Sequence, residues 1–212
     1  MKIRVLLADD HAVTRFGLRA LLEMSGMEVV GEAREGREAL RLAEELAPDV
    51  AILDVSMPGL NGIDAAALLR PRCPQTRVVI LSMHSSTQHV HRAMAAGASA
   101  YLLKDSAGEE IVAAVRAVRA GRQYLGRTLA RVDAAPTARH DLRSPLDSLS
   151  ARERQVLQLV VEGHSSSQIA ALIHLSPKSI DTYRSRLMKK LGVPELTVLV
   201  KFAVEHGLTP GG

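Results

Sequence analysis

The sequence contains very few cysteine and aromatic residues. Its 212 residues include one cysteine, Cys73, and no tryptophan, and aromatic residues make up 2% of the chain. A lone cysteine excludes an intramolecular disulfide, and Cys73 has no cysteine or histidine neighbours at zinc-site spacing. No apolar run approaches the roughly 18 residues that a membrane span needs, and acidic residues interrupt the start of the chain before the apolar core of a signal peptide is complete. We therefore expect a cytoplasmic protein that does not enter a membrane.

The net charge of +4 is confined to the C-terminal part of the chain. Residues 1–122 hold fifteen basic and fifteen acidic residues, whereas 123–212 hold twelve basic against eight acidic ones. The segment 177–190 alone carries five basic residues and one acidic residue. This local excess indicates a partner that is a polyanion.

The first 122 residues alternate short aliphatic runs with longer stretches of helical period. The runs lie at 3–7, 28–33, 50–53, 78–81 and 100–103, and a helical pattern follows each of them. Five repeats of strand and helix predict an α/β doubly wound domain with a five-stranded parallel sheet covered on both faces. We place this domain at 1–122.

The helical period fades after residue 122 and returns at about 149. Pro136 and Pro145 discourage a single continuous helix, so we interpret 123–148 as a linker. Four helical patterns follow in 149–212. The first begins at a capping box, Ser150-Ala151-Arg152-Glu153, and the third begins at Ser176-Pro177 and should end near Gly192. The second domain is therefore predicted to be small and all-α.

Polar residues follow four of the five predicted strands. Asp9 and Asp10 follow the first strand, Asp54 the third, Ser82 the fourth and Lys104 the fifth. Because the carboxyl ends of parallel strands meet at one edge of an open sheet, we expect these side chains to share a pocket. Three carboxylates in one pocket repel each other unless a cation neutralises them, and an all-oxygen set suits Mg²⁺.

The same residues are suited to phosphoryl transfer. A carboxylate such as Asp54 can attack phosphorus and become an aspartyl phosphate. Lys104 supplies a positive charge and Ser82 a hydroxyl for the phosphoryl oxygens. The sequence lacks a glycine-rich nucleotide loop, so the phosphoryl group must arrive on another molecule.

These residues carry a resemblance to a known family. The segment 48–62 (PDVAILDVSMPGLNG), together with Asp9-Asp10, Ser82, Gly97-Ala98 and the segment 101–104 (YLLK), resembles the receiver domain of two-component response regulators. The resemblance implies a flavodoxin-like sheet with strand order 2-1-3-4-5 and Asp54 as the phosphoacceptor of a histidine kinase. It also implies that the protein is not an enzyme with an external substrate, because a receiver catalyses only its own phosphorylation and dephosphorylation.

The resemblance also implies roles for the other residues of the pocket. Asp10, Asp54 and the backbone carbonyl of Ser56 would bind Mg²⁺ directly, and Asp9 would bind it through water. Ser82 and Tyr101 would form the switch pair, in which Ser82 moves toward the phosphoryl group and Tyr101 takes the space that it leaves.

The basic segment has the pattern of a DNA-recognition helix. Ile180, Leu187 and Leu191 form an apolar stripe that should face the helix's own domain. The polar and basic residues that remain could enter a major groove, with Thr182 and Ser185 at base edges, Asp181 accepting from a cytosine amino group and the basic residues on phosphates. The predicted DNA contacts are Lys178, Asp181, Thr182, Arg184, Ser185, Arg186 and Lys189.

The C-terminal part resembles the LuxR-type helix-turn-helix domain. The resemblance rests on the segments 148–157, 162–163, 169–170, 179–186 and 190–193. It implies a transcription regulator that binds double-stranded promoter DNA and forms a homodimer when phosphorylated. The sequence leaves two rival hypotheses open, namely a regulator that binds DNA without phosphorylation and a free-standing phosphohydrolase.

Overall fold

The structure is a computed structural model that describes residues 2–106, 108–129, 145–205 and 208. The chain divides into two compact units, Met1–Leu142 and Arg143–Gly212. Most of the predicted linker at 123–148 lies outside the described residues, and the predicted domain boundaries stay predictions. In the described part of the chain, no helix combines the length and the apolar character needed to cross a membrane.

The first unit alternates strands and helices along the chain. Its strands are β1 (Arg4–Ala8), β2 (Glu28–Ala33), β3 (Val50–Asp54), β4 (Arg77–Ser82), β5 (Ala100–Leu103) and β6 (Tyr124–Leu125). Between residues 2 and 122, its helices are α1 (Ala12–Met24), α2 (Gly36–Leu46), α3 (Gly62–Arg72), α4 (Thr87–Ala96) and α5 (Gly108–Arg119).

The strands form one parallel sheet in the order β2-β1-β3-β4-β5-β6. The five predicted strands and their order are confirmed. The sequence did not predict β6, which pairs Tyr124 with Ala100 and Leu125 with Tyr101 and lies beyond residue 122. Two residues are too few to show the alternation by which strands are recognised.

Alternate residues of the central strands pack on opposite faces of the sheet. Leu6 and Leu53 belong to a core cluster with residues of α2, α3 and α4, whereas Leu7 and Ile52 belong to a second cluster with residues of α1 and α5. All four side chains are at most 1% exposed. Burial of apolar surface on both faces explains why the strands are nearly continuous aliphatic runs.

The regular secondary structure in the described residues of the second unit is all helical. A short 3₁₀ helix (Pro145–Ser148) precedes α6 (Ala151–Val161), α7 (Ser166–Ile173), α8 (Pro177–Leu191) and α9 (Leu196–Glu205). The predicted capping box is present, since the Ser150 hydroxyl accepts from the Glu153 backbone amide and the Glu153 carboxylate accepts from the Ser150 backbone amide. Helix α8 ends at Leu191, which confirms the predicted end near Gly192, and Gly192 caps the helix with a left-handed φ of 67°.

Candidate functional site

The polar residues at the strand ends meet in one pocket, as predicted. The Nζ atom of Lys104 lies 2.8 Å from Oδ2 of Asp9 and 2.8 Å from Oδ2 of Asp54. The Lys104 backbone amide donates to the carbonyl of Ser82 at 2.8 Å, which fixes the loop after β5 beside the end of β4. Residues that lie far apart in the sequence are adjacent here because β1, β3, β4 and β5 are parallel neighbours.

Asp54 is the most deeply placed acid of the pocket. Only 1% of it is exposed. Burial raises the pKa of Asp54, and the hydrogen bond from Lys104 partly opposes this rise. The negative charge of Asp9 raises the pKa further. Burial alone would lower the pKa of Lys104, but its hydrogen bonds to Asp54 and Asp9 outweigh burial and the pKa is raised. The ammonium of Lys104 is thus held in its charged form between two carboxylates.

The acidic pocket has the composition of a cation site. One ligand atom from each of Asp9, Asp10, Asp54 and His11 lies within 4.8 Å of the others. The Oδ1 atom of Asp54 accepts no hydrogen bond of good geometry among the described residues, although the Ser56 backbone amide is near enough to lower its pKa. Three carboxylates face one lysine, so negative charge is in excess and the oxygen donors suit a hard divalent cation.

The sequence did not predict the position of His11. Its Nδ1 atom lies 2.7 Å from Oδ1 of Asp10 and 3.3 Å from Oδ1 of Asp9, and its backbone amide donates to Asp9 at 2.8 Å. The imidazole therefore lies directly beside the two carboxylates that follow β1. Its position directly after Asp9-Asp10 was the signal in the sequence.

Arg15, on α1, holds the same loop through a hydrogen bond to its backbone. This arginine is 6% exposed, and its Nη1 donates to the Asp9 carbonyl at 2.6 Å while its Nε lies 3.3 Å from Oε2 of Glu32. A buried guanidinium needs such partners, because an unpaired buried charge is costly. The signal in the sequence was a charged residue on the inward face of α1.

The loop after Asp54 is held close to the sheet. The Gly62 backbone amide donates to the Val55 carbonyl at 3.2 Å, and a Cβ at Gly62 would collide with the Asp54 carbonyl. Asn61 caps α3 by accepting from the Asp64 backbone amide at 2.9 Å. The loop that contains Ser56 is therefore fixed at both ends, and the predicted role of the Ser56 carbonyl stays a prediction.

Ser82 and Tyr101 are linked through the backbone of His84. The Tyr101 hydroxyl donates to the His84 carbonyl at 2.9 Å, and the His84 amide donates to Oγ of Ser82 at 3.0 Å. Both Ser82 and Tyr101 are fully buried. Burial raises the pKa of Tyr101 to about 12, although a hydrogen bond with Ser82 partly offsets it. Burial thus favours the neutral phenol.

Helix α8 presents the predicted polar face to solvent. Ile180 and Leu187 are fully buried and Leu191 is partly buried, so the apolar stripe faces the interior as predicted. Arg184 is partly buried. Of the predicted contacts, those that are exposed are Lys178, Asp181, Thr182, Ser185, Arg186 and Lys189.

Some of these polar groups already have partners within the unit. The Thr182 hydroxyl donates to the Lys178 carbonyl at 2.9 Å. The Ser166 hydroxyl donates to Oδ1 of Asp181 at 2.7 Å and accepts from Nη1 of Arg184 at 2.7 Å. The sequence did not predict these bonds, because Ser166 is fifteen residues away from Asp181 and lies on another helix.

Models of two protein families match the chain. The response regulator receiver domain matches residues 5–116, and the model described as bacterial regulatory proteins, luxR family, matches 147–203. The chain belongs to the two-component response regulators. This regulator combines a receiver domain with a LuxR-type DNA-binding domain, so its family partners are a histidine kinase and DNA, and it is a transcription regulator rather than a conventional enzyme.

Curated relatives match the regulator over nearly its whole length. It is 39% identical to the response regulator GacA of Pseudomonas aeruginosa, over 97% of each chain. It is 35% identical to the response regulator UvrY of Escherichia coli, over 97% of this chain and 95% of the relative.

Solved structures of response regulators are also similar. ChrA, from a heme-sensing two-component system, is 33% identical over 98% of each chain, with a TM-score of 0.54. The RcsB–DNA complex is 26% identical over 96% of this chain and 98% of RcsB, with a TM-score of 0.58.

Proposed function

We propose that the regulator is switched by phosphorylation of Asp54. The observation that carries this proposal is the Asp54 carboxylate, 1% exposed at the end of β3, with Lys104 Nζ at 2.8 Å bridging it to Asp9. A histidine kinase would supply the phosphoryl group. An Asp54 oxygen would form the new bond to phosphorus, while the bond from phosphorus to the kinase histidine nitrogen breaks and that nitrogen keeps the electron pair.

The donor set of the pocket fits Mg²⁺. Asp10, Asp54 and the Ser56 backbone carbonyl would hold the ion directly, and Asp9 would hold it through water. Bound Mg²⁺ would offset the negative charge of the carboxylates and of the phosphoryl oxygens. His11 would keep the Asp10 carboxylate oriented through the contact described above.

The chain's own residues would stabilise the charge that moves during transfer. Lys104 would exchange part of its pairing with Asp54 for a phosphoryl oxygen, and Ser82 would donate its hydroxyl to another. Hydrolysis of the aspartyl phosphate by water would reverse the modification. The catalysis is self-modification in both directions.

The signal would pass from the pocket to DNA through the buried switch pair. A phosphoryl group adds about −1.5 to −2 charge, which would draw the Ser82 hydroxyl and disturb the Ser82–His84–Tyr101 chain of hydrogen bonds. We assign this step to a receiver domain at 1–122 and DNA binding to 149–212. Phosphorylation would favour a homodimer that places two α8 helices on two half-sites of promoter DNA in the cytoplasm.

Exposed apolar side chains follow two of the strands that end at the pocket. Val13 and Phe16 on α1 are 85% and 75% exposed, directly after the acidic residues of the β1 loop. Met83, after β4, is 72% exposed. These exposed apolar side chains would contact the histidine kinase when it docks at the phosphoacceptor.

Incubation with acetyl phosphate and Mg²⁺ tests the proposal. Intact-mass spectrometry should show an adduct of about 80 Da on the wild type and none on Asp54→Asn. DNA affinity, measured with and without the phosphodonor, should rise only in the wild type. Equal affinity in both proteins and both conditions would instead support the phosphorylation-independent regulator.

A further inference from the structure

One hydroxyl group joins two side chains of the proposed DNA-binding face. Ser166 is the first residue of α7, and its Oγ donates to Oδ1 of Asp181 and accepts from Nη1 of Arg184, both at 2.7 Å. A hydroxyl has one proton and two lone pairs, so it can make both bonds at once. Both bonds involve charged groups and are therefore of the stronger kind.

Asp181 is the only acid in α8, where five basic residues surround it. The carboxylate is exposed, and its Oδ1 atom is held by Ser166. This bond restricts rotation of the exposed carboxylate, so the second oxygen, Oδ2, is the one that would face a DNA base. A carboxylate at a base edge accepts a hydrogen bond from an exocyclic amino group, cytosine N4 above all, and repels base edges that present only acceptors.

The Ser166 hydroxyl bridges Asp181 and Arg184. These residues are three positions apart on one helix, a spacing at which opposite charges pair directly. With the hydroxyl between them, the guanidinium is bound to Oγ instead. Without it, the guanidinium would be free to move onto the carboxylate and turn Oδ2 away from the groove.

We propose that Ser166 is a positioning residue that sets the sequence specificity of this regulator by orienting the Asp181 carboxylate toward a base amino group. The inference rests on the proposed binding of α8 in the major groove. A loss of base discrimination can be told apart from a loss of DNA affinity. The basic residues of α8 supply the affinity, whereas Ser166 supplies discrimination at one base position.

Selection of duplexes from a random 30-base-pair library by the full-length wild type would provide the DNA probe. The recovered duplex and all its single-base variants are then bound by wild type, Ser166→Ala, Ser166→Thr and Ser167→Ala. Ser167 is the matched control, since it is an exposed serine on the same turn of α7. Circular dichroism and thermal unfolding confirm that each variant folds.

We expect Ser166→Ala to reduce discrimination roughly five- to tenfold at one base position per half-site and to leave the other positions unchanged. Ser166→Thr, which keeps the hydroxyl, should restore discrimination, and Ser167→Ala should match the wild type. In an Asp181→Ala background, Ser166→Ala should have no further effect at that position.

Two results would overturn the inference. One is a single-base profile of Ser166→Ala that matches the wild type, and the other is uniform weakening at every position. If Lys178→Ala and Arg186→Ala also leave DNA binding intact, the proposed interface itself is wrong, which separates the two failures.

Discussion

The ammonium of Lys190 lies 2.8 Å from Oε2 of Glu153, and the same oxygen accepts the backbone amide of Ser150 at 2.8 Å. Glu153 thereby closes the capping box of α6 and ties it to the end of α8. Burial alone would raise the pKa of Glu153, but the bonds from Lys190 and Ser150 outweigh it and the pKa is lowered. Lys190 thus has a structural partner, although the sequence places it in the basic segment.

Lys190→Met should destabilise the second unit by about 0.5–1 kcal/mol at neutral pH, a small value because the lysine is partly exposed. Since the pKa of Glu153 is lowered by folding, its stabilising effect is present above the ordinary pKa of 4.5 and is lost as pH falls through the folded value. The free energies of unfolding of the wild type and the variant should therefore become equal at acidic pH. Urea unfolding and amide exchange at residues 153–154 measure both effects. The matched control is Lys189→Met, and equal destabilisation by both variants would contradict the prediction.

Tyr101 should titrate far above an ordinary tyrosine. The chain has no tryptophan, so alkaline absorbance changes come from its three tyrosines, and the difference between wild type and Tyr101→Phe should have a midpoint of about 12. A raised pKa means that the unfolded chain ionises first. Stability should fall as pH rises above about 10, with a total loss of about 3 kcal/mol from this group. A difference midpoint near 10 in folded protein would refute the burial argument.

Two glycines should respond oppositely to alanine. A Cβ at Gly62 would collide with the Asp54 carbonyl, whereas a Cβ at Gly17 in α1 would meet nothing within 4 Å. We expect Gly62→Ala to cost about 2 kcal/mol or more and to slow phosphorylation of the displaced Asp54. Gly17→Ala should stabilise by about 0.5–1 kcal/mol. The urea unfolding midpoints of the two variants test this prediction. Similar midpoints would show that the structure around Gly62 can accommodate a Cβ atom.

Removal of Mg²⁺ should abolish phosphorylation by acetyl phosphate, because three carboxylates would otherwise repel the phosphoryl oxygens. Asp10→Asn should weaken Mg²⁺ binding roughly tenfold or more by removing a charged ligand, as measured by isothermal titration calorimetry. Asp105→Asn removes an exposed charge next to Lys104 and should change the affinity little. Equal losses in the two variants would mean that bulk charge, not coordination, governs binding.

Lys178→Ala and Arg186→Ala should each weaken binding to all DNA sequences about equally. Each should also reduce the slope of log affinity against log salt by about 1, because each removes a phosphate contact. Lys201→Ala, an exposed lysine on α9, serves as the control for net charge. If the salt slope changes as much in Lys201→Ala, the assignment of α8 to the DNA interface is contradicted.

The sequence predicts which residues meet at the edge of the sheet, although they are far apart in the chain. It does not predict the polar contacts between helices. Asp9, Asp54 and Lys104 could be placed together because parallel strands bring their carboxyl ends to one edge. The sequence also predicted the Ser150–Glu153 capping box, since the motif spans only four consecutive residues. The Ser166 hydroxyl depends on how α7 packs on α8, and no periodicity encodes the rotamers that meet there.

The capping box at Ser165 and Gln168 was also missed. The Gln168 side chain accepts from the Ser165 backbone amide at 2.8 Å. A glutamine is a less obvious capping residue than a glutamate, but its amide oxygen makes the same bond.

The sixth strand connects Tyr101 to the chain that leaves the sheet. Leu125 pairs with Tyr101, and the Gly126 amide donates to the Tyr101 carbonyl at 3.0 Å. A displacement of the Tyr101 backbone would therefore be transmitted directly to Leu125 and Gly126 through these bonds. A fragment truncated at residue 122 would lose this coupling and would also leave β5 with an open edge, at which separate molecules could join and aggregate.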